Sequence, residues 1–127
     1  MNNFTEIIRF AIDREIEAEA FYLEVAAKVT KETIQQLFIG FAMEEKRHQQ
    51  MLTDALNNKE TVLQFKEVSD YKISESLGET RLTPTMTLAE VFNIAMKNEE
   101  AAMIMYRKLA TDATSDYTRK LFENLAV

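Results

Sequence analysis

The chain has 127 residues, a net charge of −6 and no cysteine. That length fits one domain around a single hydrophobic core, and the acidic balance argues against a nucleic-acid partner, which needs a cationic surface. Without cysteine there are no disulfides, zinc fingers, thiolate iron centres or cysteine nucleophiles.

Two glycines and one proline leave the chain short of turn and strand punctuation, while Ala, Glu, Leu, Met and Lys are plentiful. The expected class is all-α. A first helix is predicted over about 4–29, with Asn2 or Asn3 as N-cap, and a second from Thr30 as cap to about Leu56, where "NNK" supplies a stop. Residues 57–86 hold Gly78, Pro84 and many of the Ser and Thr residues, and read as a long connection. Thr87-x-x-Glu90 is a capping box opening a third helix that ends near Asp112. "TSD" at 114–116 starts a fourth, still running at Val127. The N-terminus lacks a basic segment followed by an apolar one, and no apolar run approaches the ~20 residues of a membrane span. A cytoplasmic protein with no membrane partner is expected.

The two halves repeat. An offset of 84 residues aligns 6–43 with 90–127 without a gap, and ten of the 38 positions are identical. Glu15/Glu99, Ala18/Ala102 and Tyr22/Tyr106 are among them. Gapless spacing of Glu, Ala and Tyr favours duplication over chance sharing of helix formers. The single domain 1–127 therefore divides into a repeat at about 4–56, a crossover at 57–86 and a second repeat at about 87–127. Short links within each repeat imply antiparallel hairpins. A helix of about 26 residues is roughly 40 Å long, which about 12 extended residues cover. The connection can thus run the length of a four-helix bundle and set helix 3 parallel to helix 2.

Core stripes of bundle helices recur at alternating steps of three and four. Helix 1 gives Phe4, Ile8, Ala11, Glu15, Ala18, Tyr22, Val25 and Val29; helix 3 gives Leu88, Phe92, Ala95, Glu99, Ala102, Tyr106, Leu109 and Ala113. Helix 2 gives Ile34, Phe38, Phe41, Glu45, His48, Leu52 and Ala55. A single glutamate on an apolar stripe usually reaches out to solvent, and a lone histidine there is usually a hydrogen-bonded core residue. Three helices with the same central carboxylate are another matter, because unpaired buried carboxylates cost several kcal/mol each. No Lys or Arg lies on these stripes, so a cation must enter or the groups must be protonated. Oxygen donors with an imidazole suit iron or manganese, and zinc could also bind. Tyr22 and Tyr106, each seven residues after a glutamate on the same face, are either partners of the liganding carboxylates or ordinary amphipathic core residues. Met96, Met103 and Met105 read as gap-filling, and Glu17, Glu19, Glu44 and Glu100 as a solvated face.

Glu15-x-x-Ala18-x-x-x-Tyr22, Glu45-x-x-His48 and Glu99-x-x-Ala102-x-x-x-Tyr106 together resemble the rubrerythrin-type branch of the ferritin-like di-iron carboxylate proteins. The resemblance implies a ferritin-like four-helix bundle with Glu15, Glu45, His48 and Glu99 as metal ligands. It also implies two iron ions and redox chemistry with peroxide or oxygen. Rubrerythrins that reduce peroxide typically carry a further Glu where this chain has Ala102. They often bear a rubredoxin domain, which a cysteine-free chain cannot form, so an external electron donor is expected. The offset carries Glu45 and His48 to positions 129 and 132, beyond Val127. The expectation is a native C-terminus further on that completes helix 4, with a partial or empty site in this chain. An exposed half-core then favours a homo-oligomer, including a helix-swapped dimer. Iron binding, storage or sensing, and a metal-free helical interaction module, are the alternatives to an oxidoreductase.

Overall fold

The computed structural model describes residues 4–57 and 86–127. The anticipated crossover and the Asn2 or Asn3 cap lie outside the described residues, apart from the crossover's two end residues. Four α-helices are present among those described: α1 Phe4–Lys28, α2 Glu32–Asn57, α3 Leu88–Asp112 and α4 Asp116–Leu125. No helix among them is long and apolar enough to cross a membrane.

Local chemistry fixes most of the ends. Thr87 caps α3 in a full capping box, its hydroxyl accepting from the Glu90 N–H at 3.2 Å while Glu90 accepts from the Thr87 N–H. Ser115 caps α4 by accepting from the Thr118 N–H. The start of α2 is a small correction. Lys31 supplies the first carbonyl of its ladder, to the Gln35 N–H at 2.9 Å, so Thr30 stays outside the helix. The Gln35 side chain instead reaches back and donates to the Ala26 carbonyl, satisfying an open acceptor at the end of α1. A second correction concerns α4, which ends at Leu125 rather than running to Val127.

Two cores stack along the bundle. One joins Ile7, Ile8 and Ala11 of α1 to Leu52 and Ala55 of α2, to Met105, Tyr106, Leu109 and Ala110 of α3, and to the apolar face of α4. The other joins Phe21, Tyr22, Val25 and Ala26 to Phe38 and Ala42 and to Val91 and Ala95. The start of α1 thus meets the ends of α2 and α3, and its end meets their starts. Both run antiparallel to α1 and therefore parallel to each other, as in the ferritin-like arrangement.

The 84-residue offset exchanges the two cores. Ile8 and Ala11 correspond to Phe92 and Ala95, Tyr22 to Tyr106, and Phe38 to Phe122. Ring centroids of Tyr22 and Phe38 lie 6.0 Å apart, and those of Tyr106 and Phe122 lie 6.1 Å apart. The repeat is a pseudo-two-fold axis in space, and the carboxylates of the stripes lie between the two cores.

A candidate metal centre between the two cores

Glu15, Glu45 and His48 are brought together from α1 and α2, all three buried. Each offers a ligand atom within 4.8 Å of the others. His48 Nδ1 lies 3.3 Å from Glu15 Oε2 and 3.8 Å from Glu45 Oε2. These residues converge because 45 and 48 lie one turn apart on α2, on the stripe that continues to Leu52 and Ala55. Glu99 of α3 lines the same cleft and is exposed to solvent.

The two tyrosines cross the bundle in opposite directions. Tyr22 donates to Glu99 Oε1 and Tyr106 donates to Glu15 Oε1, both at 2.8 Å. Adding 84 to the numbers of one bond gives the other, modulo the exchange of repeats. Each tyrosine therefore holds the glutamate of the opposite repeat, and neither is a passive core residue.

Burial and mutual repulsion set the charges. Glu45 is pushed up to about 12 by burial, by hydrogen bonds to Glu15 and Glu99, and by their negative charge. It is a neutral acid at pH 7 unless a cation takes the place of its proton. Burial also raises Glu15, but hydrogen bonds from His48, Glu45 and Tyr106 outweigh it and hold that carboxyl below the ordinary value. Both phenols are raised, first by burial and then by the carboxylate each one faces, so they stay protonated donors.

Two side chains of the site escaped the sequence reading. Glu44 is exposed, as expected of a solvated face, yet places Oε1 3.5 Å from His48 Nε2 and accepts from Arg47 through both oxygens. Arg47 is also the main cause of its lowered pKa. The second is Arg14, buried between α1 and α3, where Nη2 donates to the Asn98 carbonyl at 3.3 Å. It lies off the predicted stripe on a parallel line, Ile7, Arg14 and Phe21, whose repeat equivalents Val91, Asn98 and Met105 are buried as well. α1 and α3 each bury a face wider than one seam, and an arginine flanked at seven-residue spacing by Ile7 and Phe21 was the available signal.

A cleft of about 570 Å³ opens over these groups. Glu15, Glu45, His48, Glu99 and Tyr106 line it together with Phe41, Phe92, Met96, Met103 and the residues 125–127. Glu100 lines it too, so this residue belongs to the cleft as well as to the surface.

Residues 6–127 match the Rubrerythrin family model, which is nearly the whole chain. The chain belongs to the rubrerythrin family. No curated protein and no solved structure matches it. Membership places this rubrerythrin among the di-iron carboxylate proteins, and the residues present fit an iron ion. Three buried side chains aim ligand atoms at one another, and His48 Nε2 is buried with no hydrogen-bond partner while Nδ1 faces the carboxylates. Hard oxygen donors joined by one imidazole are the donor set that iron or manganese takes.

Proposed function

We propose that this rubrerythrin is a non-haem iron oxidoreductase that reacts with peroxide or oxygen and draws electrons from an external donor. The observation that carries the reading is the Glu45 carboxyl, buried against Glu15 and Glu99 and beside His48, in a place that only a proton or a cation satisfies. Glu15, Glu45 and His48 would hold one ion, and Glu99 would complete the carboxylate set from α3. Iron there supplies one-electron exchange between ferrous and ferric states.

The protein's own groups do the rest. Tyr106 and Tyr22 orient Glu15 and Glu99 through their hydroxyl donors and keep one oxygen of each carboxylate occupied. Glu44 stands 3.5 Å from the outer nitrogen of His48 and adds negative charge beside the imidazole. Glu45, held protonated by burial and its neighbours, would give up that proton to solvent in taking an ion. Phe41, Phe92 and Met103 give the cleft apolar walls, which limit the water around the carboxylates and strengthen their fields.

The exposure of Glu99 and the width of the cleft favour a second reading, iron uptake and release for storage or sensing, over the metal-free module. Stopped-flow mixing of the ferrous-loaded chain with peroxide and, separately, with oxygen tells these apart. An oxidoreductase strongly prefers one oxidant and turns over when a reductant is present. Equal, slow oxidation by both, with no turnover, would leave storage or sensing as the function.

A further inference from the structure

Among the described residues, Arg14 is the only lysine or arginine that is buried, at 8 % exposure. It enters none of the ion pairs among those residues, and its Nε has no hydrogen-bond partner. Its one directed contact is the Asn98 carbonyl. Residues 14 and 98 are equivalent in the repeat, so the bond crosses the pseudo-two-fold axis. On either side of it the next residues along the chain are Glu15 and Glu99. The guanidinium is therefore a permanent charge buried between α1 and α3, one residue along the chain from the carboxylate each of them carries. Its field extends to Tyr106, the donor to Glu15.

A buried ion without a direct counterion is costly, and an apolar side chain at this place would remove that cost. Lysine would relieve it by losing its proton, an exit closed to arginine. The compensation available to Arg14 is the net negative charge of the carboxylates of the centre, acting at longer range through a medium of low dielectric. The same coupling acts on any cation they hold.

We infer that Arg14 is a positioning residue that sets the charge balance of the metal centre, opposing added positive charge and so favouring ferrous over ferric iron. This rests on the iron reading given above. It concerns a residue that binds no metal itself and acts through the carboxylates of α1 and α3.

The test compares the full chain with Arg14→Met, which removes the charge and the fork, Arg14→Gln, which keeps an N–H donor without charge, and Arg14→Lys, which keeps the charge. Circular dichroism of each metal-free variant checks the fold. Two readouts follow: cobalt(II) affinity by visible absorption, and the ferrous/ferric midpoint potential by spectroelectrochemistry. Neutral variants are expected to bind cobalt(II) more tightly, on the order of tenfold for one nearby unit charge. Their midpoint potential falls, while Arg14→Lys stays near the parent in both. Parent-like affinity and potential in Arg14→Gln and Arg14→Met overturn the inference. So does an Arg14→Lys shift as large as theirs, since that assigns the effect to geometry. A parent chain that takes up no metal sinks the iron reading and this one together, whereas a metal-loaded parent with unshifted variants sinks this one alone.

Discussion

A proton on Glu45 and an ion beside it satisfy the same need, and the competition between them gives a pH signature. Burial and its acidic neighbours push the folded carboxyl up to about 12, whereas the unfolded chain releases that proton near the ordinary carboxyl value of 4.5. Between those values the folded, metal-free chain holds one proton more. Glu45 therefore makes the metal-free fold less stable as pH rises above the ordinary carboxyl value of 4.5. Glu15 acts in the opposite sense: its lowered pKa adds stability above the ordinary carboxylate value, and this is lost as pH falls below it. Metal binding displaces the Glu45 proton, so affinity is expected to rise about tenfold per pH unit across the neutral range. Calorimetric titrations in buffers of different ionisation enthalpy should count about one proton released per ion. Glu45→Gln keeps the shape and neutrality of the protonated acid, so its metal-free thermal midpoint at pH 8 should match or exceed the parent's while metal uptake is lost.

The tyrosine bonds give a second test at this scale. Removing either hydroxyl leaves a carboxylate short of one donor, at a typical cost of about 1–3 kcal/mol where the acceptor is buried. Glu15 is 2 % exposed, whereas Glu99 is open to solvent and can take water instead. Tyr106→Phe should therefore destabilise the chain clearly more than Tyr22→Phe in chemical denaturation. Equal costs would mean that the two carboxylates sit in equivalent surroundings.

The sequence alone yields the helices more readily than their buried width. Thr87 and Glu90 are legible as a capping box because that device is local: four consecutive residues carry both donor and acceptor. The stripe on α2 is legible for a similar reason, as its buried residues follow one seam from Phe38 to Ala55. α1 and α3 face neighbours on more than one side, so each buries a second line, and Arg14 and Asn98 fall on it. A polar residue on a line of that kind looks solvated until the neighbouring helices are in place. Glu44 was hidden by the converse effect: an exposed carboxylate whose partner, His48, lies one turn away and inside.

Gly40 offers an independent check on α2. It lies in the helix interior, and a Cβ built there meets nothing within 4 Å. Gly40→Ala should raise stability by about 0.5–1 kcal/mol in urea denaturation without altering metal uptake. A loss of stability would show that the position is packed against something.

For the whole molecule, duplication explains both the symmetry and its breaking. Two cores interchange under the 84-residue offset, and two tyrosine–glutamate bonds cross between them with equal lengths. The symmetry was visible in the aligned glutamates, alanines and tyrosines, but the crossed pairing was not, because a one-dimensional offset does not say which glutamate each tyrosine meets. Within the described residues Glu15 has Glu45 and His48 beside it, while Glu99 faces the cleft. The buried half is the stronger place for an ion. Loading should raise the thermal midpoint of the parent chain, because a ligand held by the folded state alone stabilises it by mass action.

Anaerobic ferrous titration of the parent chain beside Glu45→Gln and His48→Ala, followed by isothermal calorimetry, tests the Glu15–Glu45–His48 centre most directly. The expected result is saturable uptake by the parent and its loss in both variants, with folded circular dichroism spectra throughout. Absence of uptake by the parent, or uptake that survives both substitutions, would contradict it.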